Sequence, residues 1–288
     1  MSKAQSFEKE SIKIGPNIVR YDTIKYQLND ADKTASVIGY RFEKGDLFIP
    51  RSIYYESQEY IVTSISDEAF KSEYYFESIE FPPDSELRSI GKRAFAYCTK
   101  LKKLTIPSSL VELGEGWCNK TSCLETIHFM PNNKKFTYYR NCLILGKSSD
   151  SSQYDTLYFA RRDSTYITIP SYAKTIEPYA FDSCEYNSIE IKFEENSELQ
   201  KISKYAFYEC DMKSIIIPSH TIEIGDYAFY RCIKLTSLEF EENSELQIIG
   251  KNAFYFTQFS KLNIPKNLAY LGYGWCEYIF SRVINVVP

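Results

Sequence analysis

The cysteines are the residues whose type and spacing in this sequence are most suggestive of chemistry. Of the eight present, six stand at recurrent positions after an Ala-Phe or Gly-Trp dipeptide: Cys98, Cys118, Cys184, Cys210, Cys232 and Cys276. Thiols at regular intervals can form disulfides or a ladder of metal ligands. Cysteine is also a small apolar residue that is frequently buried. We favour buried packing, because the chain has no Cys-x-x-Cys pair and begins without a secretory signal sequence.

The two histidines allow one catalytic hypothesis. His128 lies in an alternating segment, with its side chain expected to point outward, and His220 lies in a turn. A hydrolase using Cys142 and His128 is therefore a minor alternative, although no family-specific signature accompanies the pair. Nucleophile elbows, phosphate-binding loops and dinucleotide motifs are absent. The sequence predicts a protein that is not an enzyme, with no catalytic residue, no metal ligand and no cofactor.

Two pairs of adjacent carboxylates, Glu194-Glu195 and Glu241-Glu242, recur at turns. Carboxylates catalyse acid–base reactions when they face each other across a cleft. Because these pairs follow strands on successive long turns, we interpret them as a solvated acidic edge.

Charge and hydropathy exclude other classes of function. There are 34 Lys and Arg against 38 Asp and Glu, a net charge of -4, so we expect no nucleic-acid binding. No segment approaches the about 20 apolar residues of a transmembrane helix. Met1–Lys13 also lacks the apolar run of a signal peptide. These features predict no membrane insertion and, by themselves, a cytosolic location.

An internal repeat explains most of the sequence. An apolar residue ends a short alternating run, usually before Pro, at the following positions: Ile49, Phe81, Ile106, Phe129, Ile169, Phe193, Ile217, Phe240, Ile264 and Val287. Successive positions differ by 32, 25, 23, 40, 24, 24, 23, 24 and 23 residues. The alternation predicts a strand with one buried face. One such unit is too small to exclude water, so we expect the units to stack and share a core.

A larger duplication is superimposed on this period. PDSELRSIGKRAF, from Pro83 to Phe95, matches ENSELQIIGKNAF, from Glu242 to Phe254. The following Gly-Trp dipeptides, at Trp117 and Trp275, extend the match. The block 81–131 is therefore a near copy of the block 240–288.

The motif L-x-x-I-x-I-P followed by I-G-x-x-A-F-x-x-C resembles the BspA-type leucine-rich repeat family. The resemblance implies a right-handed repeat solenoid, mainly β, with short turns and 3-10 segments. It further implies an N-terminal tail and capping strands over residues 1–48 and a solenoid over 49–288. A hairpin insertion over about 136–160 accounts for the long interval, with strands expected at 142–145 and 156–159.

The resemblance also implies a function. Members of this family are typically surface or secreted proteins of mucosal bacteria and of protozoa such as trichomonads, and are linked to adhesion and virulence. We therefore expect a non-enzymatic protein-binding module that is adhesin-like and displayed at the cell surface. An intracellular scaffold that binds an endogenous protein is the alternative, which the missing signal sequence favours.

The expected binding surface is the open face of the strand stack, formed by side chains that alternate with the buried ones. The predicted contact residues are Lys103, Thr105, His128, Tyr166, Thr168, Glu190, Lys192, Ile216, Glu239 and Asn263. The row mixes both charges with two apolar anchors, Tyr166 and Ile216, which suits a protein partner. Tyrosines beside the Ala-Phe landmarks form a second candidate strip. An uncapped last strand also suggests an end-to-end homodimer through the C-terminal edge, or a longer array.

Overall fold

The computed structural model describes residues 11–41, 45–149, 151–184, 188–259, 261–278 and 283–286. Within these ranges the regular structure consists of strands joined by turns, with no helix of either α or 3-10 type. The first twelve strands are β1 Ile12–Gly15, β2 Ile18–Tyr21, β3 Ile24–Asn29, β4 Thr34–Tyr40, β5 Leu47–Phe48, β6 Ser52–Tyr55, β7 Gln58–Ile65, β8 Ser78–Glu80, β9 Ser89–Ile90, β10 Lys103–Ile106, β11 Glu112–Leu113 and β12 Thr126–Phe129. The remaining strands are β13 Phe136–Tyr139, β14 Leu143–Gly146, β15 Thr156–Ala160, β16 Tyr166–Ile169, β17 Thr175–Ile176, β18 Glu190–Phe193, β19 Lys201–Ile202, β20 Ser214–Ile217, β21 Glu223–Ile224, β22 Ser237–Phe240, β23 Ile248–Ile249, β24 Lys261–Ile264, β25 Tyr270–Leu271 and β26 Val283–Val286.

The described residues fall into two compact units. The first comprises the described residues up to Cys118 together with Thr126–Asn133, and the second comprises Asn119–Glu125 and the described residues from Lys134 onward. The predicted boundary at residue 48 stays a prediction.

The first unit contains two sheets. Strands β1 to β4 form an antiparallel meander, and β4 then pairs in parallel with β7, which continues through β9 to β11. The second sheet is parallel, in the order β12-β10-β8-β5. Each turn of the chain thus adds one strand to each sheet, as the repeat period predicts.

The second unit begins with antiparallel strands and continues with parallel ones. Strand β13 pairs with β14 and β14 with β15, so the long interval forms a three-stranded meander rather than a two-stranded hairpin. Short strands β17, β19, β21, β23 and β25 then add in parallel to β15. On the other side of each turn, longer strands pair as β16–β18, β20–β22 and β24–β26. The predicted β-solenoid, built of stacked turns, is confirmed.

A column of phenylalanines fills the core of the second unit. Phe181, Phe207, Phe229 and Phe254 are fully buried, and their ring centroids lie 4.7, 4.8 and 5.1 Å apart in nearly parallel stacks. This spacing is that of strands in a sheet, about 4.8 Å. Each Ala-Phe dipeptide therefore packs on the same dipeptide of the next turn.

The cysteines of the Ala-Phe-x-x-Cys pattern are buried free thiols in both units. The residue two after Phe is left-handed, with φ of 60° at Tyr97 and 57° at Arg231, and this turns the chain inward. The Cys98 thiol then donates to the Phe70 carbonyl at 3.0 Å, and Cys232 donates likewise to Phe207. Cys98 and Cys232 are thus core residues that also satisfy a carbonyl of the preceding turn.

The Gly-Trp dipeptides occupy a different register from the one the sequence suggested. Phe70 N–H donates to the Ala94 carbonyl, and Phe95 N–H donates to the Trp117 carbonyl. Trp117 therefore stands at the alanine position, not at the phenylalanine position. Gly116 takes the left-handed place before it, with φ of 60°. The pattern is a turn variant whose large ring packs edge-on against Phe95, with centroids 6.3 Å apart.

Candidate protein-binding surface

The open face of the first unit is carried by β5, β8, β10 and β12. The parallel register sets Thr105 level with His128, and Lys103 level with Thr126. Lys103 and His128 are exposed and Thr105 is half-buried, whereas Leu104 between them is buried. The alternation follows from the pleat, which points successive side chains to opposite faces.

Phe48 is a residue of this face that the sequence analysis missed. It is 55% exposed and pairs in register with Glu80 on the next strand. The signal was present, because Phe48 immediately precedes the strand-ending Ile49 and so occupies the outward position. It adds an aromatic side chain to the face of the first unit.

In the second unit, β16 and β18 set charged residues around an aromatic one. Tyr166 is level with Glu190, and Thr168 is level with Lys192. The Lys192 ammonium lies 5.6 Å from the Tyr166 ring centroid and 2.7 Å from the Glu190 carboxylate. The hydrogen bond to Glu190 raises the pKa of Lys192, which stays charged. Tyr166 remains 52% exposed beside this pair.

The next two ladders of the second unit continue the face. Ile216 is 54% exposed and stands level with Glu239, while its neighbours Ile215 and Ile217 are buried. Asn263 is exposed on β24, level in backbone register with Asn285. The predicted contact residues thus lie on outward strand positions in both units, and their role in binding stays a prediction.

The acidic pairs have a structural role in their first members. A Glu194 carboxylate oxygen accepts the backbone N–H of Ser171 at 3.1 Å, and Glu241 accepts that of Ser219 at 2.9 Å. Each carboxylate therefore caps the Pro-Ser segment of the preceding solenoid turn. The second members, Glu195 and Glu242, are exposed.

The second candidate strip, of tyrosines, forms stacked ladders. Tyr205 and Tyr227 stack with centroids 4.9 Å apart, and Tyr208, Tyr230 and Tyr255 stack at 5.4 and 5.2 Å. Because the ring faces are occupied by neighbouring rings, only edges and hydroxyls face outward. The ladder is a packed wall and offers little flat area for a ligand.

The Cys–His hypothesis gains no support from the thiol. Cys142 is half-buried, and burial raises its pKa, which disfavours the thiolate that a nucleophile requires. Within the described ranges no three His, Cys, Asp or Glu side chains are arranged to hold a metal ion. No helix in the same ranges has the length and apolar character needed to cross a membrane.

Comparison with protein-family models identifies one family. The family model described as a BspA type leucine-rich repeat region matches residues 52–144 and 154–285, in six copies. A leucine-rich repeat protein from Eubacterium ventriosum is similar in structure, with 18% identity, a TM-score of 0.49 and coverage of 88% of this chain and 92% of that one. The pneumococcal vaccine antigen PcpA shows 19% identity and a TM-score of 0.49, over 91% of this chain and 78% of its own. Among curated proteins there is no match.

Proposed function

Because this chain belongs to the BspA-type leucine-rich repeat family, we propose that it is a non-enzymatic module that binds a protein partner on its open strand faces. Repeat proteins of this kind present extended surfaces built from many turns. Each face here combines both charges with exposed apolar side chains. That composition is typical of protein interfaces, in which a few large side chains supply most of the affinity.

The exposed isoleucine on β20 is the observation that carries the proposal. The fold requires Ile215 and Ile217, which are buried, but places no such requirement on Ile216, which is 54% exposed. Burying an isoleucine side chain contributes about 1.5–3 kcal/mol, so Ile216 is suited to be an anchor. Tyr166, also half-exposed, supplies a second anchor with a polar tip.

A paired-variant binding experiment tests this assignment. The wild type and a Tyr166→Ala/Ile216→Glu variant are used to capture cross-linked partners, and affinities for any identified partner are then measured by interferometry. We expect the variant to lose the partner. Tyr54→Ala/Ile233→Glu is a matched control, because Tyr54 and Ile233 are 53% and 50% exposed but lie outside the proposed binding faces. Tyr54 is on β6, which pairs with β7, and Ile233 is in a turn. Equal binding by wild type and the face variant contradicts the proposal.

We further propose an adhesin-like role at the cell surface, supported by the family membership. The alternative is an intracellular scaffold that uses the same faces for an endogenous protein. Membrane-impermeant labelling of intact source cells separates the two, because only a displayed protein reacts before lysis.

End-to-end self-association through the C-terminal edge stays a prediction. Light scattering checks it: a dimer at high protein concentration supports it, and a monomer contradicts it.

A further inference from the structure

The second unit has a groove on its other sheet, away from the open strand face. It follows the short strands β19, β21, β23 and β25 and encloses about 360 Å³. Consecutive turns contribute the side chains that matter most: Lys201, Lys204, Glu223, Asp226, Ile248 and Tyr270. The groove therefore runs along the stack and crosses one turn after another.

The floor of the groove is backbone. Gly250 N–H donates to the Ile224 carbonyl at 2.7 Å, and a Cβ on Gly250 would lie only 2.4 Å from the Asp226 backbone nitrogen. Gly225 makes the same bond to Ile202 at 2.8 Å. Glycine is required here because successive turns approach so closely. A ligand would therefore contact the side chains that flank the glycines, such as Ile248 and Tyr270.

The near copy in the first unit shows which groove residues the fold does not need. Gly91 bonds to Ile65, and Gly114 to Ile90, in the pattern of the second-unit glycines. At the positions equivalent to Ile248 and Tyr270, however, the copy carries Ser89 and Glu112. Polar residues are therefore compatible with this turn.

The apolar groove residues are correspondingly exposed. Ile248 is 37% exposed and Tyr270 is 56% exposed. Since the near copy folds with polar residues at these positions, their apolar character needs an explanation other than packing.

The chemical character of the groove changes from one turn to the next. Glu223 and Asp226 make one turn acidic, Ile248 makes the next apolar, and Tyr270 makes the third aromatic. Glu223 is held by Lys201 at 2.9 Å, and one Asp226 oxygen accepts the Lys251 N–H at 2.7 Å. Two turns separate the acidic level from the tyrosine, a distance of about 9.6 Å at the usual strand spacing.

That distance selects a ligand conformation. A polyproline II helix has three residues per turn and rises about 3.1 Å per residue, so it repeats every 9.3 Å. A β-strand repeats every two residues, about 6.8 Å, and does not match two turns of the stack. Aromatic-lined grooves are a known mode of binding proline-rich segments. We infer that this groove binds a polyproline II segment, with proline against Ile248 and Tyr270 and a cationic residue three positions away at Glu223 and Asp226.

Titration with defined peptides tests the inference. The probe is a fluorescein-labelled Pro-Pro-Arg-Pro-Pro-Pro-Pro-Pro peptide, followed by fluorescence anisotropy with the full chain. We expect saturable binding that weakens at least about tenfold when Ala replaces the prolines after Arg, or when Glu replaces Arg. Binding should also weaken with added salt, because one contact is between charges.

Two groove variants and two controls locate the site. Tyr270→Glu introduces the residue type that the near copy tolerates at Glu112, and we expect it to weaken binding about tenfold. With Glu223→Gln/Asp226→Asn, the protein should bind the Arg peptide and the Glu peptide equally well. The amide oxygen introduced by Asp226→Asn can still accept the Lys251 backbone N–H, as the Asp226 carboxylate does. Glu112→Gln and the strand-face variant Tyr166→Ala/Ile216→Glu should bind the peptide as wild type does.

The inference is overturned if the wild type shows no saturable binding, or if neither groove variant alters it. Loss of peptide binding with the strand-face variant alone would instead place the peptide on the open face. Since the proposed function is tested with a protein partner and the strand-face variant, its failure is distinguishable from failure at the groove.

Discussion

The Arg162 guanidinium lies 2.7 Å from the Asp182 carboxylate, and both side chains are essentially inaccessible to solvent. Arg162 also donates to the carbonyls of Ala180 and Tyr179, at 2.8 and 3.0 Å. The other Asp182 oxygen accepts the Lys120 backbone N–H at 2.8 Å. This buried pair therefore joins the end of the meander, one Ala-Phe turn and the segment 119–125 within the second unit.

Removing one partner of this pair should destabilise the protein strongly. Arg162→Met leaves a buried carboxylate without its counter-charge, and such changes cost about 3–5 kcal/mol. The free energy of unfolding in urea measures the effect. Arg161→Ala is the control, because the adjacent Arg161–Asp163 pair is partly exposed to solvent and should contribute less than about 1 kcal/mol. Equal losses in the two variants would contradict a special role for the buried pair.

The phenylalanine column should dominate core stability. Phe207 is fully buried between Phe181 and Phe229, so Phe207→Ala should lower the free energy of unfolding by about 3–5 kcal/mol. Phe256→Ala, at a residue 40% exposed, should lose less than about 1.5 kcal/mol because little area is removed from the core. A small effect at Phe207 would mean that neighbouring turns collapse into the space.

The buried thiols predict a loss of stability at alkaline pH. Burial raises the pKa of Cys98 to about 12, from an ordinary value of 9.0, and raises that of Cys232 as well. In the unfolded chain these thiols ionise first, so their contribution is complete below about pH 9 and declines as pH rises toward 12. Urea unfolding at several pH values across this window measures the decline.

A Cys98→Ala/Cys232→Ala variant separates the thiols from the tyrosines that titrate in the same range. It should show a shallower fall in the free energy of unfolding above about pH 9 than the wild type shows. Identical pH dependence in the two proteins would assign the decline to other groups.

The glycines of the short strands should not tolerate a methyl group. In Gly250→Ala the new Cβ would meet the Asp226 backbone nitrogen at 2.4 Å, which forces adjacent turns apart. We expect a loss of about 1–3 kcal/mol in the free energy of unfolding. Gly15→Ala is the control, since its nearest neighbours lie at 3.6 Å and belong to the Ile18 side chain. Unchanged stability of Gly250→Ala would show that the turns separate freely.

The strand faces were predictable because the information for them is local. Alternation along four residues decides which side chains are buried, and it correctly separates Ile215 from Ile216. Phe48 obeys the same rule, because it immediately precedes the buried Ile49 and is itself exposed. Charged residues are different. Arginine is usually exposed at the protein surface. Arg162 can be buried only because Asp182, twenty residues later in the chain, pairs with it.

The sequence by itself determined that the chain is a β-solenoid. The repeat period, the alternation within each strand and the recurring Ala-Phe dipeptides show this, because every solenoid turn must bury the same kinds of side chain at the same positions. Tertiary structure alone decided the register of Trp117, the division into two compact units and the pairing of Arg162 with Asp182. It also brought Glu223, Ile248 and Tyr270 onto one groove. These features depend on which residues of neighbouring turns come level with each other. This register depends on the number of residues in every intervening turn, and inserting or deleting one residue shifts it.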